Sequence, residues 1–144
     1  IKVCWISLFK DYKTLNTGEA KMLKKIGVKL YSFAPRHPFC YKSEPREKVR
    51  RECCKALECI KMLLKSNEYG MLVIDELNIA LRDGFLKVGE VISILKKIKH
   101  RTDIVITGRG APKKLKDFAD LVSDVRRIKH PYDKGVKMKK GIEF

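Results

Sequence analysis

Two adjacent carboxylates, Asp75 and Glu76, close the apolar run Met71-Leu-Val-Ile74, and further on Thr107-Gly108-Arg109-Gly110 closes the similar run Ile104-Val-Ile106. A short apolar run that ends in acid suits a buried parallel strand, whose carboxylates emerge at its C-terminal end. In nucleotide-hydrolysing folds that position holds Mg²⁺ beside the triphosphate. The alternative is that Asp75 and Glu76 cap the segment that follows; two acids directly after a buried strand favour the metal. Thr107 to Gly110, taken alone, is either a phosphate or substrate contact or an ordinary turn, since glycine reaches positive φ cheaply. Lys10 and Asp11 follow another strand-like run, Ile1 to Leu8. The usual companion of an acidic strand end is a glycine-rich loop closing in Gly-Lys-Thr or Gly-Lys-Ser, and the 144 residues contain none.

The elements that would hold these groups alternate along the chain. Strands are expected at Ile1 to Leu8, Val28 to Phe33, Met71 to Ile74, Ile104 to Thr107 and Leu121 to Val125. Helices are expected from Glu19 to Ile26, stopped by Gly27, and from Pro45 to Lys65, where Val49, Cys53, Ala56, Leu57, Ile60 and Leu64 recur at helical spacing. Another is marked by Val88, Val91, Ile92, Leu95 and Ile98, and Pro112 opens one more. Arg126 to Phe144 is basic and has no clear period. This alternation predicts one α/β domain with a mainly parallel sheet and helices on both faces. Open sheets of this kind bind ligands beyond the carboxyl ends of their strands. Lys10, Asp75, Glu76, Thr107 to Gly110 and the Ala34 to Pro45 loop all belong on that edge, so one site built from several loops is expected.

Composition narrows the classes. No apolar stretch approaches the length of a membrane span, and no secretory pattern is present. Cys4, Cys40, Cys53, Cys54 and Cys59 form no Cys-x-x-Cys pair, which favours a reduced, cytoplasmic interior. The formal net charge of +16 raises nucleic acid as a partner, but the aromatic residues do not alternate with the basic ones as on a base-stacking surface. An anionic small substrate is served equally well by such a charge. His37 and His130 taken singly are more often structural than catalytic. No nucleophile elbow supports serine or cysteine chemistry.

Taken together the motifs resemble those of the ATP:corrinoid adenosyltransferases. The resemblance rests on Val73-Ile-Asp-Glu-Leu77, Ile106-Thr-Gly-Arg-Gly-Ala-Pro112, Ala119-Asp-Leu-Val122, Lys129-His-Pro-Tyr-Asp133 with Gly135, and Gly141-Ile-Glu-Phe144, in that order. Upstream, Phe9-Lys10 and Gly18-Glu19 fit as well. The resemblance implies a RecA-like, P-loop NTPase-type α/β domain, usually a homodimer, that transfers the 5′-deoxyadenosyl group of ATP to the cobalt of a Co(I) corrinoid and releases triphosphate, in cobalamin biosynthesis or salvage. It implies Mg²⁺ at Glu76 with Asp75 beside it, and Lys10, Thr107, Gly108, Arg109 and His130 against ATP or corrinoid. It further implies that Phe39 and Tyr41 exclude the lower axial ligand of cobalt, with a reduced flavoprotein as electron donor.

Three departures accompany the resemblance. Tyr41 stands where well-known members have Trp, and Ser7-Leu8 where Gln-Phe is common. The family's first strand, its Gly-x-Gly-Lys-Gly-Lys-Thr loop and the next helix have no counterpart, since Ile1 begins at what would be the second strand. An N-terminal segment omitted from the sequence is expected, the first residue being Ile rather than Met. The alternatives are a P-loop-less corrinoid-binding homologue and, in another class, a basic, non-enzymatic RecA-like module that binds nucleic acid.

Overall fold

The computed structural model describes residues 1–10, 18–36, 45–97, 102–137 and 139. In chain order the elements are β1 (Val3–Leu8), α1 (Gly18–Lys25), β2 (Lys29–Phe33), α2 (Arg46–Ser66), β3 (Met71–Asp75), α3 (Leu77–Arg82), α4 (Val88–Leu95), β4 (Asp103–Ile106) and α5 (Lys113–Phe118), with a 3₁₀ turn at Pro131–Lys134. The four strands form one sheet in the order β2-β1-β3-β4, and every pairing is parallel. The α/β class and parallel sheet expected from the sequence are therefore found.

Register fixes which side chains share a face. Cys4 lies opposite Leu72 and Ile6 opposite Ile74, and all four are at most 1% exposed. Against this face packs α2, whose Val49, Cys53, Ala56, Leu57 and Ile60 are buried at helical spacing. Its Cys59 comes close enough to help raise the Cys4 thiol, which burial pushes up to about 12. Burial likewise pushes the Cys53 thiol up to about 12. Both are core residues rather than nucleophiles at neutral pH.

The opposite face is less completely covered. Val3 and Trp5 remain partly exposed there, and Val105 on β4 is 40% exposed. Right-handed crossovers put α1 on this side of the sheet, over β2, which it contacts. The expected cover on both faces is thus uneven among the described residues.

Two expectations change. Leu121 to Val125 is not a strand: the segment has no regular structure, and Leu121 and Val125 are 83% and 94% exposed. An apolar run becomes a strand only beside a partner, and β4 is the last strand on that side of the described sheet. Conversely, Leu77–Arg82 is a helix that the periodicity did not disclose. It is buried nearly all round, with Leu77, Asn78, Ile79, Ala80 and Leu81 inside, so it has no amphipathic stripe to read.

Candidate active site

The chain runs from β1 outward to β2 and then crosses back to β3 on the other side of β1. The carboxyl ends of β1 and β3 therefore flank a topological switch point, where a crevice opens in sheets of this class. The charged residues meet there. Lys10, after β1, places Nζ 2.8 Å from Oδ2 of Asp75, the last residue of β3. Oδ2 also accepts from the hydroxyl of Ser7 at 3.1 Å. Thr107, after β4, donates from Oγ1 to Oδ1 of Asp75 at 2.7 Å and accepts the Glu76 backbone N–H at 3.2 Å. Three strands are thus tied at one buried carboxylate, and both oxygens of Asp75 already have protein donors.

Glu76 is different. Its φ of 62° and ψ of 18° put a non-glycine residue in the left-handed region at the junction of β3 and α3, a conformation that costs of order 1–3 kcal/mol and persists only where its surroundings hold it. Phe9 after β1 and Ala34 after β2 also have positive φ, so the strain lies along the edge where the site lies. One carboxylate oxygen of Glu76, Oε2, is buried and has no hydrogen-bond partner among the described residues. Burial, and then the charge of Asp75, raise the Glu76 carboxyl above its ordinary value, while Lys10, Arg109 and Arg82 pull the other way. A buried acceptor without a donor among the described residues, in a cluster of fixed charge, is compatible with a cation ligand. No group of three or more His, Cys, Asp or Glu side chains gathers there among the described residues, so a Mg²⁺ at this edge would draw on Glu76 and otherwise on its own waters and on substrate oxygens.

The turn after β4 is fitted against Glu76. Gly108 has φ +120°, and a Cβ on it would meet Glu76 Oε2 at 3.0 Å, Asn78 Cβ at 3.1 Å and Glu76 Cα at 3.2 Å. Glycine is required here for contact as well as for conformation. Asn78 holds the same turn: its backbone N–H donates to the Thr107 carbonyl at 3.2 Å and its Nδ2 to the Gly108 carbonyl at 3.1 Å. Arg109 is exposed, with its charge felt at Glu76.

Lys10, Asp75, Glu76, Thr107, Gly108 and Arg109 are therefore brought together as the sequence suggested. His130 is not joined to them by any described contact; it is exposed, and its Nδ1 accepts the Tyr132 N–H at 3.0 Å to cap the 3₁₀ turn. Phe39 and Tyr41 lie outside the described residues, as does Asp11. Sequence reasoning missed Ser7 and Asn78. Ser7 was visible only as a departure from the Gln-Phe pattern, yet it is fully buried against Asp75.

Matched against known families, residues 1–144 fit that described as ATP:corrinoid adenosyltransferase BtuR/CobO/CobP. The chain belongs to this family. Among curated proteins it is 36% identical over 130 residues to a corrinoid adenosyltransferase of Sinorhizobium sp, a match covering 89% of the chain and 61% of the relative. It is 33% identical over 131 residues to the corrinoid adenosyltransferase CobA of Salmonella typhimurium and 30% identical over 131 residues to a corrinoid adenosyltransferase of Escherichia coli K12. In each of those two cases the match covers 91% of the chain and 66% of the relative. The chain thus spans a little under two thirds of the length of these members of the family. No helix among the described residues is long and apolar enough to cross a membrane.

Proposed function

We propose that this chain carries the catalytic edge of an ATP:corrinoid adenosyltransferase, acting on ATP and a Co(I) corrinoid in cobalamin biosynthesis or salvage. The observation that carries the reading is the orphaned, buried Oε2 of Glu76 beside Lys10 and Arg109, at the switch point of a parallel sheet. In the reaction the Co(I) electron pair attacks the ribose C5′, the C5′–O bond breaks, and the electron pair of that bond leaves with triphosphate. Catalysis of such a displacement asks for positioning and for positive charge on the leaving group. Glu76 would hold Mg²⁺, which when bound supplies charge to the triphosphate. Asp75, clamped by Lys10, Ser7 and Thr107, orients the junction that carries Glu76. Arg109, on a turn pressed against Glu76, is the mobile-length cation suited to the departing phosphates.

Phe39 and Tyr41 are assigned to a water-excluding wall under the corrin, His130 to ligand contact, a homodimer to the assembly, the cytoplasm to its location and a reduced flavoprotein to electron supply. These assignments rest on the motif resemblance, except the location, which rests on the cysteine usage. The test is direct. The full-length protein, supplied with ATP, Mg²⁺ and chemically prereduced cob(I)alamin, should form the cobalt–carbon bond, followed by absorbance. Glu76→Gln should abolish the reaction while far-ultraviolet circular dichroism stays unchanged. Wild-type rates in that variant would remove Glu76 from the mechanism, and absence of product with the wild type would remove the reading itself.

A further inference from the structure

We infer that Asn78 is a second acceptor of the cation site, a role that rests on the reading of Glu76 just given. Asn78 is only 6% exposed, in the first turn of the buried helix α3. Its Nδ2 donates to the Gly108 carbonyl at 3.1 Å, and because a carbonyl accepts only from the NH₂ end, this bond fixes which way the amide faces. Oδ1 is then left buried with no partner among the described residues. An amide oxygen in that state calls for a donor, and turning the amide over would break the bond to Gly108.

Among the described residues, Glu76 Oε2 is the other buried acceptor of this edge without a partner. Both residues border Gly108, where an added Cβ would touch Glu76 Oε2 at 3.0 Å and Asn78 Cβ at 3.1 Å. Both residues thus pack against Gly108, and each keeps a buried oxygen for which the described residues supply no donor. A hydrated divalent cation is such a donor: Mg²⁺ keeps several of its waters and binds through one or two protein carboxylates. Glu76 supplies the charge, and Asn78 Oδ1 accepts a hydrogen bond from a water on the metal. The backbone and Nδ2 bonds from Asn78 to Thr107 and Gly108 hold the Arg109 turn in step with that site.

Mn²⁺ serves as the probe, titrated into the full-length protein with ATP present and corrinoid absent, so that no transfer occurs; protein-bound metal is read by electron paramagnetic resonance. Asn78→Ala, which removes both amide functions, should weaken Mn²⁺ about tenfold. Asn78→Asp keeps an acceptor and adds charge but loses the donor to Gly108, so it should bind Mn²⁺ at least as well as wild type, even if it melts at a lower temperature. A purely structural Asn78 predicts that the two variants change Mn²⁺ affinity alike, and that result overturns the inference, as does wild-type affinity in Asn78→Ala. Glu76→Gln separates the two levels. If it abolishes Mn²⁺ binding while Asn78→Ala does not weaken it, only the Asn78 role falls; if it binds Mn²⁺ as well as wild type, the cation site falls with it.

Discussion

At Asp75 and Glu76 two neighbouring carboxylates divide the work because their environments differ. Asp75 is enclosed by three donors, and removing it would leave the buried Ser7 hydroxyl without this acceptor and cost Thr107 and Lys10 a partner each. Asp75→Ala is expected to destabilise the fold by about 2–4 kcal/mol, read by urea unfolding. Glu76 bears the opposite sign. Its carboxyl is raised from the ordinary 4.5 by burial, so the folded chain holds the proton more tightly than the unfolded one. Stability then falls as pH rises from 4.5 through the raised value, and the full cost is present above it. Without metal, Glu76→Gln should therefore melt at a higher temperature than wild type at neutral pH, with the advantage vanishing below pH 4.5. In the full-length protein, excess Mg²⁺ with ATP should narrow or reverse the difference, because the wild type gains more from binding. A gain of equal size at every pH would show that the charge of Glu76 is not the cause.

Among the elements, the junction of β3 with α3 and the turn after β4 behave as one unit, held by Thr107, Gly108 and Asn78. Gly108→Ala must adopt φ +120° and press into Glu76, so a loss of about 1–3 kcal/mol is expected. Metal affinity should fall with it, as Glu76 Oε2 is the atom in the way. A thermal melt unchanged from wild type would mean that the turn relaxes freely. The segment preceding α2 carries the other prediction at this scale. Changing Phe39 and Tyr41 together to Ala should spare transfer to prereduced Co(I) more than transfer that depends on enzymatic reduction of Co(II). Equal losses in the two assays would point to general collapse of the loop.

For the whole molecule, ATP binding turns on the phosphate cradle. One arginine and scattered lysines do not replace a ring of fixed backbone amides around several negative charges. The 144-residue chain alone should bind MgATP weakly or not at all by calorimetry. An extended chain with a preceding strand, Gly-Lys-Thr loop and helix should bind well. The structure has room for such a unit: the outer edge of β4 is free among the described residues, and the sheet face bearing Trp5 and Val105 is incompletely covered. Tight MgATP binding by the 144 residues would defeat this and require a nucleotide site elsewhere, such as the basic C-terminal stretch.

Strand and helix alternation, the acidic end of β3 and the glycine turn after β4 were all legible in the sequence, because period and local turn chemistry are properties of neighbouring residues. The common edge for Lys10, Asp75 and Thr107 followed from the rule that parallel strands present their carboxyl ends together. What the sequence did not carry was pairing. Leu121 to Val125 has a strand's composition but no strand beside it, and a ladder needs two chains of backbone groups. Helix α3 was hidden because burial on all sides erases its stripe. Ser7 and Asn78 read as ordinary polar residues until register set Ser7 opposite Asp75 and the packing of Gly108 against α3 gave Asn78 a carbonyl to hold. Residue type determined which groups had chemistry to offer; only the tertiary structure decided that both oxygens of Asp75 are bound by the protein while Glu76 keeps one buried oxygen without a partner among the described residues, since burial and hydrogen bonding are set by neighbours distant in the chain.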